Sequence, residues 1–214
     1  MNGDSRVIHP LTDIPTDWYV LGMKERAAPT RKEKLVRAAT DLFRQNGYSA
    51  TSVNDICDRA NVTKGAFFHH FTSKEVLAEA CLEEWDKTIA AMEAAAPFHE
   101  VRDGRDKVAA YMDFFIGLFS RPDLPKSCLV GTTVQEVAES IPGLREASQR
   151  CFERASARLV AVLRAASPKV DAERLASLWM ATLQGSLLLH KASGDTRVIP
   201  ENLKQVRTYI LGQL

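Results

Sequence analysis

The sequence of 214 residues has few of the features that mark membrane, secreted or metal-binding proteins. No apolar run approaches the roughly 20 residues that a membrane helix needs, and the N-terminus does not follow the basic-then-apolar order of a signal peptide. The four cysteines are widely spaced and include no CxxC pair. This spacing argues against a zinc site or a disulfide framework and favours a reducing compartment. These absences predict a cytoplasmic protein.

Sequence motifs of catalysis are also lacking. There is no Gly-rich phosphate loop, no nucleophile elbow and no HExxH. Glu136 and Glu139 have a spacing that suits paired carboxylates, but di-metal sites in bundles need Glu-x-x-His, which the sequence does not contain. His69 and His70 are adjacent, so on a helix they point in different directions, and no partner stands at ligand spacing. We therefore expect no enzyme activity, no metal and no cofactor.

No segment shows the alternation of a β-strand, whereas helical periods recur from Thr30 onward. Residues 1–29 carry three prolines and no amphipathic period, which predicts a flexible tail, with Met23 as an alternative start to Met1. Three short helices follow, with starts or stops at Thr30, Gly47, Thr51, Ser52 and Thr63. Longer helices are expected at 73–96, 101–120, 127–139, 142–166, 171–192 and 200–213. The predicted fold is all-α, with a three-helix head (residues 30–75) followed by a helical bundle (residues 76–214).

The net charge of +1 conceals an uneven distribution. From Lys24 to Lys74, ten basic residues stand against five acidic ones, and the rest of the chain is mildly acidic. A basic head suggests a polyanionic partner at that end of the molecule, although an ordinary solvated surface gives the same pattern.

The segment NVTKGAFFHHFTSKEVL (residues 61–77) combines phenylalanines with lysines and histidines. Phe67 and Phe71 lie one helical turn apart and can fill a small core with apolar residues of the two preceding helices. The rest of the segment then presents Thr63, Lys64 and the two histidines. Two short helices joined by a tight turn form the helix-turn-helix plan, in which the second helix lies in the DNA major groove. This pattern predicts DNA binding, although small helical cores also imitate it.

Residues 31–77 resemble the N-terminal domain of the TetR/AcrR family of transcriptional regulators. The resemblance is carried by AATDLFRQNGYSATSV, by Ala60, by VTKGAFFHHF and by SKEVL. It implies a homodimeric repressor that binds a pseudo-palindromic double-stranded DNA operator and is released by a small-molecule effector. The bundle would then bind the ligand and form the dimer. A DNA-binding protein without an effector is the alternative.

The resemblance also implies roles for individual residues of the head. Thr51 and Ser52 would contact phosphate at the start of the second helix, and Lys74 would do so at the start of the fourth. Base and phosphate contacts would concentrate in the third helix, at Thr63, Lys64, Gly65, His69 and His70. The family commonly has tyrosine at the position of Phe68 and often an aromatic residue at that of His69. We therefore expect no DNA contact from Phe68, and for His70 a packed histidine beside Phe71 is an equal alternative.

Two apolar stretches of the bundle, YMDFFIGLF and CLVGTTVQEV, and one polar residue of a later helix are candidates for a pocket. The pocket would take an apolar or aromatic molecule. Its candidate residues are Phe114, Phe115, Cys128, Thr132, Gln135 and Gln184, each of which is alternatively a core or capping residue. Cys128 begins a predicted helix and is a candidate oxidant-sensing thiol, with a plain buried cysteine as the alternative.

The last two predicted helices carry apolar residues at helical spacing. From the family resemblance we expect them to form a four-helix dimer interface with the partner subunit. The alternative is that they close the core of the bundle. The candidate interface residues are Leu178, Trp179, Leu187, Leu203, Val206, Tyr209 and Ile210.

Overall fold

The computed structural model describes residues 28–122 and 125–214, which form nine α-helices, one short 3-10 helix and no strand within those ranges. The all-α prediction is confirmed. Met1, Met23 and nearly all of the predicted tail lie outside the described residues. No helix of the described chain is long and apolar enough to span a membrane. The helices are α1 (Arg31–Asn46), α2 (Val53–Ala60), α3 (Lys64–His70), α4 (Lys74–Ala94), the 3-10 helix (Pro97–Glu100), α5 (Gly104–Ser120), α6 (Leu129–Val137), α7 (Pro142–Ala166), α8 (Ala172–Ser193) and α9 (Val198–Leu211).

The first four helices begin at hydroxyl side chains, as the sequence predicts. In α1 and α2 the residue three positions further on, Glu33 or Asp55, bonds back to the capping residue and completes a capping box. An N-cap of this kind contributes about 1 kcal/mol. The capping residues, each accepting a hydrogen bond from the backbone N–H three residues later, are Thr30, Ser52, Thr63 and Ser73.

Two joints between helices differ from the prediction. Helix α4 ends at Ala94, and the residues from Pro97 onward form a 3-10 helix of their own. Helix α9 begins at Val198, so Pro200 lies inside its first turn rather than ahead of it. Proline is tolerated there because the N–H groups of a first turn have no acceptor within the helix.

Buried apolar side chains form two clusters that meet at Cys128. The first joins α1, α2 and α3 to the first half of α4, to α6 and to the first half of α7. The second is built from α5, α8 and α9 with the far ends of α4 and α7. Cys128 is half-buried ahead of α6 and packs against both. The head is therefore joined to the bundle by a continuous core that crosses residue 75.

Ionic side chains connect α4, α5 and α7. The buried carboxylate of Glu93 lies 2.7 Å from Nε of Arg158, and the hydroxyl of Tyr111 donates to it over 3.4 Å. Arg158 also pairs with Asp86 at 3.1 Å. Burial raises the pKa of the Glu93 carboxyl, while the nearby Arg158 guanidinium acts in the opposite direction. A buried charge without such a partner would be strongly destabilising.

Candidate DNA-binding surface and ligand cavity

Helix α3 has a buried aromatic side and an exposed N-terminal end. Phe67 and Phe71 are both buried, with ring centroids 6.1 Å apart. Thr63, Lys64 and Gly65 are all exposed. The two phenylalanines thus fix the helix in place while its first residues face outward, as contact with a major groove requires.

Gly65 leaves the backbone of α3 uncovered by a side chain at this position. A Cβ built at this position would meet only Oγ1 of Thr63, at 3.9 Å, which is ordinary contact. The packing of the chain itself therefore does not demand glycine here. Without a side chain here, a partner can approach the backbone of α3 closely.

The second half of α3 is partly exposed. His69 faces solvent, Phe68 is 50% exposed, and His70 is half-buried. The two imidazole rings lie edge to face, with centroids 5.0 Å apart. Among the described residues, no group of three or more His, Cys, Asp or Glu side chains could hold a metal ion.

Of the two residues expected to contact phosphate at the start of α2, only Ser52 lies at the surface. Its hydroxyl donates to Oδ2 of Asp55 over 2.7 Å and caps α2. Thr51 is buried; its hydroxyl donates to the carbonyl of Gly47 over 2.7 Å and its amide donates to the carbonyl of Tyr48. This placement differs from the expectation for Thr51, because both of its donors are already engaged inside the head.

Lys74 also differs from the expectation. Its ammonium group turns inward and donates to the carbonyls of Tyr48 and Thr51, each over 3.0 Å, and it lies 4.1 Å from the centroid of the Tyr48 ring. Burial lowers the pKa of Lys74, and nearby carboxylates, first that of Glu136, partly offset this. The position commits most of the donors of Lys74 to the 47–51 turn, the segment that joins α1 to α2.

Glu136 of α6 holds the same turn from the other side. Its two carboxylate oxygens accept from the backbone N–H groups of Tyr48 at 3.2 Å and Ser49 at 2.8 Å. Sequence reasoning considered this carboxylate only beside Glu139 and missed its role. The partners are backbone amides 87 and 88 residues away, and no side-chain motif signals such a contact.

Arg44 is a second contact between head and bundle that the sequence did not reveal. It is buried near the end of α1, and its guanidinium donates to the carbonyls of Pro125 and Ser127, each over 3.1 Å, and to the Ser127 hydroxyl over 3.2 Å. The guanidinium also lies 4.6 Å from the centroid of the Trp85 ring. The residues just ahead of α6 are therefore attached to the head through Arg44, as the far end of α6 is through Glu136.

A cavity of about 380 Å³ opens between α7 and α8. Most of the surface that lines it is apolar, although two serines, one glutamine and one carboxylate make up half of its eight lining residues. The carboxylate, Glu173, forms an ion pair with Arg164. Its lining residues are Phe152, Ser156, Val160, Glu173, Ser177, Met180, Ala181 and Gln184.

Among the six residues predicted for a pocket, only Gln184 lines this cavity. Phe114 and Phe115 are buried in an aromatic group with Phe98 and Tyr111, where they fill the core. The other three belong to the α6 region: Cys128 and Thr132 are half-buried, and Gln135 is exposed. Helical periodicity locates apolar faces but does not tell which of them is left incompletely packed.

The predicted dimer residues divide into two groups. Leu178 and Tyr209 are exposed, by 39% and 53%, and the neighbouring Leu188 and Leu189 are exposed by 52% and 55%. The other five pack inside the protomer, which differs from the expectation, because α8 and α9 use those side chains to close the second cluster. These five buried residues are Trp179, Leu187, Leu203, Val206 and Ile210.

A helix-turn-helix head with an exposed, basic α3 terminus, joined to a helical bundle, defines the class of DNA-binding transcriptional regulators. Comparison with known proteins gives the family. Residues 35–81 match the family described as bacterial regulatory proteins, tetR family, and residues 105–205 match the C-terminal domain described as transcriptional regulator LmrA/YxaF-like. The chain belongs to the TetR family of transcriptional regulators.

Individual relatives agree with this assignment. The chain is 28% identical over 182 residues to an uncharacterized HTH-type transcriptional regulator of Lactococcus lactis subsp. lactis, covering 83% of this chain and 91% of that protein. It is 30% identical to the HTH-type transcriptional repressor DhaR of Mycobacterium sp. strain GP1, over 57% of this chain and 60% of that protein. A TetR transcriptional regulator structure from Chloroflexus aurantiacus superposes with a TM-score of 0.75 at 27% identity, covering 86% of this chain and 95% of that one.

Proposed function

We propose that this protein is a homodimeric, ligand-responsive repressor that binds a pseudo-palindromic operator in the cytoplasm. The observation that carries the proposal is the exposed N-terminal end of α3, where Thr63, Lys64 and Gly65 stand on the buried Phe67. Ser52 and His69 lie exposed on the same head and extend the surface. Backbone phosphates would be met by Lys64 and the hydroxyl groups, and base edges by the first turn of α3.

A second copy of the chain is the partner proposed for α8 and α9. Leu178, Leu188, Leu189 and Tyr209 are exposed apolar side chains of these helices, and we call this set the α8–α9 face. Gly185 lies on the same helix, and a Cβ there would meet nothing within 4 Å, so a partner helix can approach closely. Two heads in one dimer would contact half-sites whose centres are about 34 Å, or a multiple, apart.

The α7–α8 cavity is the proposed effector site. Its apolar lining favours an apolar or aromatic molecule, and Ser156, Ser177 and Gln184 offer hydrogen bonds that would orient it. This cavity favours the ligand-responsive regulator over one without an effector. An effector would release the operator to the extent that it binds more tightly to a conformation with displaced heads.

Selection of bound duplexes from random-sequence DNA, with the full chain and no effector, tests the operator proposal. We expect two inverted half-sites to be enriched and the measured affinity to fall steeply with salt, because bound phosphates release counterions. Failure to enrich any sequence would contradict the proposal. Release of the selected duplex by apolar small molecules, with loss of that response in Ser156→Trp, which fills the cavity, then tests the effector site. Release that persists in Ser156→Trp would place the effector elsewhere.

A further inference from the structure

Gln184 of α8 lies between the cavity and helix α6. On one side it lines the cavity with Met180, toward whose sulfur its amide N–H points over 3.8 Å. On the other side its Oε1 lies over Gly131: a Cβ built on Gly131 would be only 2.3 Å from that oxygen. The absence of a side chain at Gly131 is therefore what allows the Gln184 amide to pack against the backbone of α6.

Helix α6 carries this contact toward the head. Gly131 and Glu136 belong to the same nine-residue helix, whose backbone hydrogen bonds make it move as one unit. At its far end, Glu136 accepts the amide hydrogen bonds of Tyr48 and Ser49 in the 47–51 turn. That turn leads directly into α2 and is held on its other side by Lys74. A displacement of α6 at Gly131 would therefore move Glu136 relative to the 47–51 turn, which precedes the first helix of the helix-turn-helix.

We propose that Gln184 transmits occupancy of the α7–α8 cavity to the head, through Gly131 and Glu136. The inference rests on the proposed function and deepens it by naming the residue that connects the two sites. A molecule in the cavity that moves the Gln184 amide changes its packing on Gly131 and shifts α6. The hydrogen bonds from Tyr48 and Ser49 to Glu136 then weaken, because such bonds depend steeply on distance and angle.

Gly131→Ala reproduces the displacement without any ligand. Its methyl group takes the place of Gln184 Oε1 and pushes the amide off α6. We expect hydrogen exchange at the Tyr48 and Ser49 amides to become about tenfold faster, and affinity for the selected duplex to fall about tenfold, a coupling of ordinary size for two linked sites. Amides in the middle of α9 serve as the internal reference and should keep their exchange rates.

The matched control is the same substitution in the Gln184→Ala background. There the colliding amide is absent, so adding Gly131→Ala should change both readouts by less than about twofold, within the usual scatter of independent sites. Thr182→Ala, on the same helix as Gln184 but outside the cavity lining, removes only a hydrogen bond to the Leu178 carbonyl of its own helix and should leave exchange at the turn unchanged. If Gly131→Ala prevents folding, the double variant must fold, since the collision is gone. If neither folds, the contact with Gln184 is not the cause and the proposal is wrong.

Two further outcomes would overturn the inference: unchanged exchange in folded Gly131→Ala, or equal effects of Gly131→Ala with and without the Gln184 amide. The exchange measurement needs no DNA, so it separates this inference from the proposed function. If exchange becomes faster in Gly131→Ala but the protein enriches no duplex, the proposed coupling stands and the proposed operator binding is wrong. If a duplex is enriched but Gly131→Ala does not change its affinity, the proposed operator binding stands and the proposed coupling is wrong.

Discussion

The two lysines of the helix-turn-helix region illustrate how one residue type takes two roles. Lys64 is exposed at the first position of α3, whereas Lys74, at the first position of α4, donates to two backbone carbonyls. Both follow a hydroxyl N-cap, so the local sequence around them is similar. What separates them is the 47–51 turn, which lies within reach of Lys74.

This difference predicts opposite behaviour of two lysine variants. Lys64→Ala should weaken binding to all duplexes and reduce the slope of log affinity against log salt by about 0.9 for each lost phosphate contact. Lys74→Met should leave that slope unchanged and lower the free energy of unfolding by about 2 kcal/mol, since hydrogen bonds from a charged donor are lost. Salt titrations of DNA binding and urea unfolding measure the two effects. A salt slope altered by Lys74→Met and not by Lys64→Ala would reverse these assignments.

Thr51 gives a second test at the same scale. Thr51→Val keeps the shape of the side chain but leaves the Gly47 carbonyl without its hydroxyl donor. We expect a loss of about 1–2 kcal/mol in the free energy of unfolding, with the salt slope of DNA binding unchanged. Ser52→Ala, which removes an exposed cap, is the comparison and should lose about 1 kcal/mol. A smaller slope of log affinity against log salt in Thr51→Val would show that Thr51 does contact a phosphate.

At the scale of helices, the sequence predicted where helices begin better than it predicted which segments they contact. Ser52, Thr63 and Ser73 cap the helices they were expected to cap, because an N-cap depends on the next three residues alone. Thr51, expected to share the cap with Ser52, bonds to the Gly47 carbonyl instead. The first residues of α3 are likewise exposed where the pattern put them. The contacts of Glu136 with the 47–51 turn depend instead on how α6 meets α1 in space. No local pattern encodes that, which is why the route between head and bundle was not predicted.

The ionic link between α4 and α7 makes stability depend on pH. Burial raises the pKa of Glu93 above its ordinary value of 4.5. At a pH between the pKa of the unfolded state and that of the folded state, the carboxyl therefore keeps its proton in the folded protein and releases it on unfolding. Ionised Glu93 therefore costs stability increasingly as the pH rises from about the unfolded pKa through the folded one. Glu93→Gln has no proton to lose.

We therefore expect the unfolding free energy of Glu93→Gln, relative to that of the wild type, to increase with pH above about 4.5 and then to level off. The pairing with Arg158 is already part of the folded pKa of Glu93, so it adds no separate offset, and Arg158 keeps Asp86 as a partner in the variant. Urea unfolding of both proteins across the acidic range measures the difference. A difference that stays flat or falls with pH would contradict the raised pKa.

At the scale of the whole molecule, burial decides which apolar residues are available to a partner. The sequence predicted an interface on α8 and α9, but its periodicity could not separate the side that closes the protomer from the side left open. Trp179 and Ile210 are buried, whereas Leu188 and Leu189 of the α8–α9 face are about half exposed. Apolar residues exposed together in this way mark surfaces that bind other proteins.

Leu189→Asp tests the proposed dimer. A charge within a packed apolar interface should raise the dimer dissociation constant at least about tenfold, or 1.4 kcal/mol, and DNA affinity should fall with it. The protomer should keep its helical content, because Leu189 is not part of the core. Sedimentation at several concentrations provides the measurement. Val76→Asp, at an exposed apolar residue of α4, is the control and should remain dimeric; dissociation of both variants, or of neither, would argue against the α8–α9 face.

The continuous core across residue 75 limits how such a regulator can be recombined with its relatives. A chimera cut at that residue would strip the head of Leu77, Leu82, Leu129 and Leu144, all of which are nearly or fully buried in the cluster that holds α1, α2 and α3. The part that could be transferred as a module is therefore made of segments that pack together but are not contiguous in the sequence. A graft that is to keep the packing of the head needs α1 to the middle of α4 together with α6 and the first half of α7.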